Sequence, residues 1–298
     1  RDSIRRQRQM CIRDSVFRPP SEAHSYLLHV TYGCSHNECT YCAMYLSKKF
    51  AVRPFDEVLE DIREASRLMP ETRKVFLLDG DAMTLATKRL VPVLEALNEH
   101  FPELHRVGAY ANAVSVLNKT DEELRRLREL KLGIGYLGLE SGDPETNAKI
   151  VKGATIEEQV EAVRRAQAAG IKMSVMALLG VAGRERSREH AVATGEVFSQ
   201  MDPRFASCLT VTLVPGTALH ARWEAGDFEL LVPDETLEEL RLILENTHVT
   251  ACVFRANHAS NYLPIGGRLP ADRERLLQTI EAAQQGRVSL KPEYLRGL

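Results

Sequence analysis

The chain carries almost no surplus charge of either sign. Its 39 basic and 41 acidic residues leave a formal charge of −2, which gives no whole-chain case for binding nucleic acid or a membrane surface. No apolar run approaches the roughly 18–20 residues that a bilayer-spanning helix needs. The first 20 residues are charged and lack the apolar stretch of a signal peptide. Six cysteines in 298 residues do not make a disulfide scaffold, and in a reducing compartment clustered cysteines more often bind metal or do redox chemistry. These absences point to a cytoplasmic globular protein. A composition of 44% hydrophobic and 27% charged residues suits one with a sizeable core.

Residues 1–15 stand apart. They begin and end on Arg-Asp-Ser, have no Met at position 1 and show poor hydrophobic periodicity. They resemble translated sequencing-adapter sequence, so the expectation is a non-native or disordered leader outside the fold.

From residue 16 onward the chain alternates. Strand-like runs at 25–31, 74–78, 106–111, 134–139, 172–179 and 206–214 each precede a helix-like one, at 55–68, 87–101, 121–130, 156–169 and 186–200 for the first five. Thr120 with Glu123 has capping-box spacing, and Gly170 stands where a helix-ending glycine belongs. Strands alternating with helices imply a parallel sheet with right-handed crossovers. The expected fold is α/β, a partial (β/α)6 TIM-like barrel over residues 16–225, with an open doubly wound sheet as the alternative. Residues 226–298 are expected to form a small C-terminal extension packed on it. In either architecture chemistry belongs at the carboxyl ends of the strands.

Polar and glycine residues gather at those ends. Cys34, Cys39 and Cys42 fall in nine residues after the first strand. Three thiolates leave a metal site one ligand short of closure, and a cubane iron–sulfur cluster normally takes four cysteines. Asp79, Gly80 and Asp81 follow the second strand, where turn chemistry is an equally good account of Asp-Gly. Asn112 follows the third. Glu140, Ser141 and Gly142 follow the fourth, and an acid ending an apolar strand is costly to bury without a partner. Gly180 and Gly183 follow the fifth, and glycine permits close backbone approach.

This ordered set resembles the radical SAM superfamily, in the branch that includes methylthiotransferases and oxygen-independent coproporphyrinogen oxidase. Cys34-x4-Cys39-x2-Cys42, with aromatic Tyr41 before the third cysteine, is similar to that family's CxxxCxxC loop but holds one extra residue. Asp79-Gly80-Asp81 occupies the place of the family's Gly-Gly-Glu, Glu140-Ser141-Gly142 resembles its "ESG" segment, and Pro215-Gly216-Thr217 resembles its "PGT" turn. The resemblance implies a 4Fe-4S cluster held by Cys34, Cys39 and Cys42, with S-adenosylmethionine chelating the fourth iron. Reductive cleavage would then give a 5′-deoxyadenosyl radical that abstracts hydrogen from a substrate. It also implies that Tyr41, Asp79, Gly80, Asp81, Asn112, Glu140, Ser141 and Gly180 bind the cosubstrate. An electron donor resembling flavodoxin or ferredoxin is implied as partner. No second cysteine group is present for an auxiliary cluster, and no basic RNA-binding module or cobalamin domain. A small molecule or peptide is the expected substrate, nucleic acid is not, and Arg255, Asn257, His258, Asn261 and Tyr262 are candidate contacts to it. The rival reading is a zinc-binding or electron-transfer protein whose cysteines hold metal without such chemistry.

Overall fold

The computed structural model describes residues 17–297, so the reading of residues 1–15 lies outside it. In chain order the strands are β1 (Tyr26–His29), β2 (Thr31–Tyr32), β3 (Ala51–Val52), β4 (Lys74–Leu78), β5 (Arg106–Ala111), β6 (Leu132–Glu140), β7 (Lys172–Leu179), β8 (Phe205–Thr210), β9 (Cys252–Ala256) and β10 (Ile265–Leu269). The helices are α1 (Phe55–Leu68), α2 (Thr87–His100), α3 (Ala113–Leu117), α4 (Asp121–Glu129), α5 (Pro144–Lys149), α6 (Ile156–Ala168), α7 (Ser187–Met201), α8 (Ala218–Glu224), α9 (Pro233–Asn246) and α10 (Arg273–Gln284).

Eight strands lie in the order β1-β4-β5-β6-β7-β8-β9-β10, and β2 pairs with β3 separately. The pairings β1–β4, β4–β5, β7–β8 and β8–β9 are parallel, while β9–β10 is antiparallel. The order never doubles back, as a doubly wound sheet must. The fold class is therefore the expected one, α/β with the strand order of a partial (β/α)6 barrel.

Contacts divide the chain into two compact units. Of the described residues, the first holds 17–37, Met44–Tyr136 and Arg165–Lys172, and the second holds Glu38–Ala43, Leu137–Arg164 and 173–297. In the first, β4 is buried from Val75 to Leu78, as an apolar strand covered on both faces should be. Helix α1 turns Val58, Ile62 and Ala65 inward, at the spacing of one helical face. The Thr120–Glu123 capping box forms as the spacing predicts. Glu22 is fully buried and is compensated by Arg106 at 2.6 Å and by the Tyr136 hydroxyl, because a buried charge needs partners.

In the second unit α7 packs on α9 so closely that a Cβ on Gly195 would lie 2.6 Å from the Ile243 carbonyl oxygen. Beyond residue 225 the chain supplies two strands, β9 beside β8 and β10 beside β9. β10 has no strand-like signature in the sequence, because Gly266 and Gly267 weaken strand propensity. Three short helices also lack a readable period. Each instead opens on a side-chain cap: Asn112 for α3, Asp143 for α5 and Thr217 for α8.

Candidate functional site

The cysteine loop contributes to both units, Cys34 to the first and Cys39 and Cys42 to the second. All three are half-buried and outside any disulfide. In the first unit the end of β4 sits against the start of that loop. The Gly80 N–H donates to the Gly33 carbonyl at 2.9 Å, and the Gly33 N–H donates to Asp79 Oδ2 at 2.8 Å. A Cβ on Gly80 would fall 2.6 Å from Cys34 Cβ and 2.9 Å from the Tyr45 ring. Glycine is thus required beneath Cys34 for space.

Asp79 is buried, with His29 Nε2 at 3.5 Å and Lys48 Nζ at 3.6 Å. Burial alone would raise its carboxyl, but His29, the Gly33 N–H and Lys48 outweigh it and hold the group below its ordinary value. Asp81 is the contrasting case. It is fully buried and burial pushes it up to about 6, against the lowering effect of Ser35, Ser115 and Lys119. Its Oδ2 accepts from Ser35 at 2.9 Å and from the Asn112 amide at 2.6 Å. Its Oδ1 is buried with no hydrogen-bond partner. The structure thus brings Asp79, Gly80, Asp81 and Asn112 together, with Asn112 also capping α3 through Ser115.

In the second unit the Cys39–Cys42 turn is held by backbone bonds. The Thr40 N–H donates to Ile150 at 3.0 Å, and its carbonyl accepts from Leu219 at 2.8 Å. Tyr41 packs against the buried cluster of Val211, Leu219 and Phe228, and its hydroxyl bonds to Glu140. Burial raises the Tyr41 phenol well above its usual range, with Glu140 and the sulfurs of Cys39 and Cys42 adding to the effect. Glu140 Oε1 accepts from Lys152 Nζ at 3.0 Å, with only 15% and 10% of the lysine and glutamate side chains exposed. Burial would lower the Lys152 ammonium, but Glu140, Cys39 and Cys42 outweigh it and raise it. Asp79 and Glu140 both adopt left-handed backbone, with φ of 67° and 64°. That conformation is costly without glycine, and such strain gathers at functional sites.

Ser141 is placed differently from its neighbour. It is fully buried, and its hydroxyl bonds to His190 Nδ1 at 2.8 Å and accepts from the Asp143 N–H at 3.1 Å. Gly180 has φ of 80° and its N–H donates to Glu239 Oε2 at 2.7 Å. Sequence reasoning missed Lys152, His190 and Glu239. Lys152 could have been sought as the partner that a buried Glu140 requires. Glu239 shares a helical face with Thr236, Leu240 and Ile243, where an acid is out of place.

The model describing the radical SAM superfamily matches residues 28–192, more than half of the chain. The chain belongs to the radical SAM superfamily. Enzymes of that superfamily work with a 4Fe-4S cluster and S-adenosylmethionine, and need a substrate and a reductant. An uncharacterized methyltransferase of Pyrococcus horikoshii is 26% identical over 197 residues, covering 64% of this chain and 40% of that protein. The chain thus spans less than half the length of this curated relative. Methylornithine synthase aligns at a TM-score of 0.55 and 17% identity, over 86% of this chain and 68% of that one. Coproporphyrinogen III oxidase of Escherichia coli aligns at 0.57 and 14% identity, over 74% and 51%. These structural likenesses show a shared fold.

The residues present fit the cluster. Three thiols stand in one short loop, glycine clears the space beneath Cys34, and a mostly buried ammonium faces two of the sulfurs. Among the described residues no three His, Cys, Asp or Glu side chains are grouped to hold a single metal ion. Among them, too, no helix is long and apolar enough to cross a membrane.

Proposed function

We propose that Cys34, Cys39 and Cys42 hold the cluster, and that Tyr41, Asp79, Gly80, Asp81, Asn112, Glu140, Ser141 and Gly180 form the S-adenosylmethionine site. The observation that carries this is Asp81 Oδ1, a buried carboxylate oxygen without a partner at the end of β4. An ammonium group is the natural partner for such an atom. When bound, the cluster supplies the electron that cleaves S-adenosylmethionine to methionine and a 5′-deoxyadenosyl radical. The chain's own residues do the rest. Asp81 receives the methionine amino group, while the Asn112 amide donates to its other carboxylate oxygen. Tyr41 gives an apolar wall with a hydroxyl fixed by Glu140. Lys152 holds Glu140 in place, and Gly180 offers backbone to the adenine. Ser141 acts from behind the strand end through its bond to His190.

The substrate is a small molecule or peptide. A cavity of ≈ 280 Å³ lined by Gly180, Val211, Leu213, Ser260, Tyr262 and Arg296 is the place proposed for it, since Leu213 also packs on the apolar cluster that Tyr41 joins. Of the tail residues, Tyr262 lines this cavity. Asn261 is buried and bonds to Thr210 and to the Cys208 carbonyl at 2.9 and 2.8 Å, so it anchors the tail to β8. His258 bonds to Ser260 at 2.9 Å. A flavodoxin- or ferredoxin-like protein is the proposed electron donor. A cytoplasmic location is the reading that fits the lack of a disulfide among the described cysteines.

The test is anaerobic reconstitution, an iron and zinc count, and EPR of the reduced protein with and without S-adenosylmethionine. A spectral change with release of 5′-deoxyadenosine is expected. Zinc without iron, or iron indifferent to S-adenosylmethionine, overturns the proposal. Cys39→Ala is expected to abolish cleavage and Cys208→Ala to leave it, because Cys208 is fully buried in β8.

A further inference from the structure

A fully buried carboxylate and a fully buried imidazole lie behind the strand ends. Glu239 on α9 and His190 on α7 are both 0% exposed. Their Oε2 and Nε2 atoms approach to 3.8 Å. This geometry resembles an ion pair, but burial pushes Glu239 up to about 8 and His190 down to about 4. Near neutral pH both are uncharged, as expected where no solvent stabilises a charge. Glu239 Oε1 and His190 Nε2 have no hydrogen-bond partner of normal geometry. Two such atoms in a core are costly to keep, and an apolar pair of equal volume would pack there without that cost.

The reason to keep them is where their other bonds go. Glu239 Oε2 accepts from the Gly180 N–H at 2.7 Å, and the Ser187 hydroxyl also donates to Glu239. His190 Nδ1 bonds to Ser141 Oγ at 2.8 Å. The Ser141 hydroxyl in turn accepts from the Asp143 N–H. Thr194, one turn after His190, accepts from the Gly142 N–H at 2.9 Å and donates to the His190 carbonyl. A Cβ on Gly142 would run into the Ala193 carbonyl, so this strand end has no room to shift toward α7. Two buried polar arms, Glu239 on the end of β7 that presents Gly180 and His190 with Ser141 on the end of β6 that presents Glu140, thus meet at 3.8 Å. Both ends belong to the second unit.

We infer that Glu239 is a positioning residue for S-adenosylmethionine, fixing the β7 end through the Gly180 N–H and registering it against the β6 end through His190 and Ser141. This rests on the binding site proposed above. Glu239 itself touches no reactant. Its contribution is to keep two strand-end loops in one arrangement before the ligand arrives, which lowers the ordering cost of binding.

The test uses the full chain, reconstituted anaerobically, with iron counted for each variant. Glu239→Gln keeps an uncharged acceptor for the Gly180 N–H, and Glu239→Leu removes it. Leaving that N–H unpaired is expected to weaken S-adenosylmethionine binding about tenfold in equilibrium dialysis, with iron content unchanged. In 5′-deoxyadenosine release, the KM for S-adenosylmethionine should rise while kcat holds, the pattern of lost uniform binding. Glu239→Gln should stay within about twofold of the wild type, well under one tenfold step. Equal affinity for Glu239→Leu and the wild type overturns the inference, and so does an equal loss in both variants. Ser141→Ala gives a second measurement from the other arm, should Glu239→Leu fail to fold. It should speed amide hydrogen exchange at Gly180, and unchanged exchange there also overturns the inference. Wild-type protein that fails to bind S-adenosylmethionine sinks the underlying site proposal instead.

Discussion

Lys152 and Glu140 show what a single residue contributes here. Both are mostly buried, they lie 3.0 Å apart, and each is the other's charge partner. Removing one leaves an uncompensated charge, which is costlier than removing both. Lys152→Met is expected to lower stability by about 3 kcal/mol. Adding Glu140→Gln should recover much of that loss. Urea unfolding of the single and double variants, as a thermodynamic cycle, checks this, and additive losses would show the pair uncoupled. The acid was legible in the sequence, because an apolar strand ending in Glu140 calls for a partner. The lysine was not. It lies 12 residues on, beyond α5, and no local pattern points back from it.

At the scale of elements, local chemistry was readable wherever it is self-contained. The Thr120–Glu123 capping box satisfies itself within four residues, with bonds of 3.1 and 2.8 Å. Thr120→Ala should cost about 1 kcal/mol, read as a lower thermal midpoint, and a shift within error would mean that the cap is redundant. The apolar β4 was equally plain. Elements whose warrant is tertiary were not. β10 is a strand because β9 offers it an edge, despite paired glycines. Helices α3, α5 and α8 are too short for a period, yet the side chains of Asn112, Asp143 and Thr217 each cap one of them.

At the scale of the whole molecule, the buried Glu239 and His190 should shape the pH dependence of stability. Glu239 is raised to about 8 in the fold, so the folded state holds a proton that the unfolded state releases. Its contribution is therefore complete below the unfolded carboxyl value and is lost as pH rises toward 8. His190 is lowered to about 4, so its contribution is present above the unfolded imidazole value and lost as pH falls. The two oppose one another in mildly acidic solution, and from about pH 6.5 upward only Glu239 still titrates of the pair. The groups facing it are the Gly180 N–H, Ser187, His190, Glu235 and Cys208, none of which carries a positive charge there at neutral pH. Stability should fall by about 1–2 kcal/mol between pH 6.5 and 8. Glu239→Gln should flatten the decline in urea unfolding at the two pH values. An equal decline in the variant would assign it to other groups.

The sequence by itself determined the alternation of strands and helices, the parallel fold class and the three-cysteine loop with acid and glycine residues at successive strand ends. Those features rest on periodicity, capping and spacing, which act over a few residues and survive without tertiary context. Only the tertiary structure decided which strand-end groups have partners. It committed the Ser141 hydroxyl to His190, left Asp81 Oδ1 buried and unpaired, and placed Glu239 from α9 against Gly180. Hydrogen-bond satisfaction in a core is set by residues far apart in the chain, so no local pattern records it.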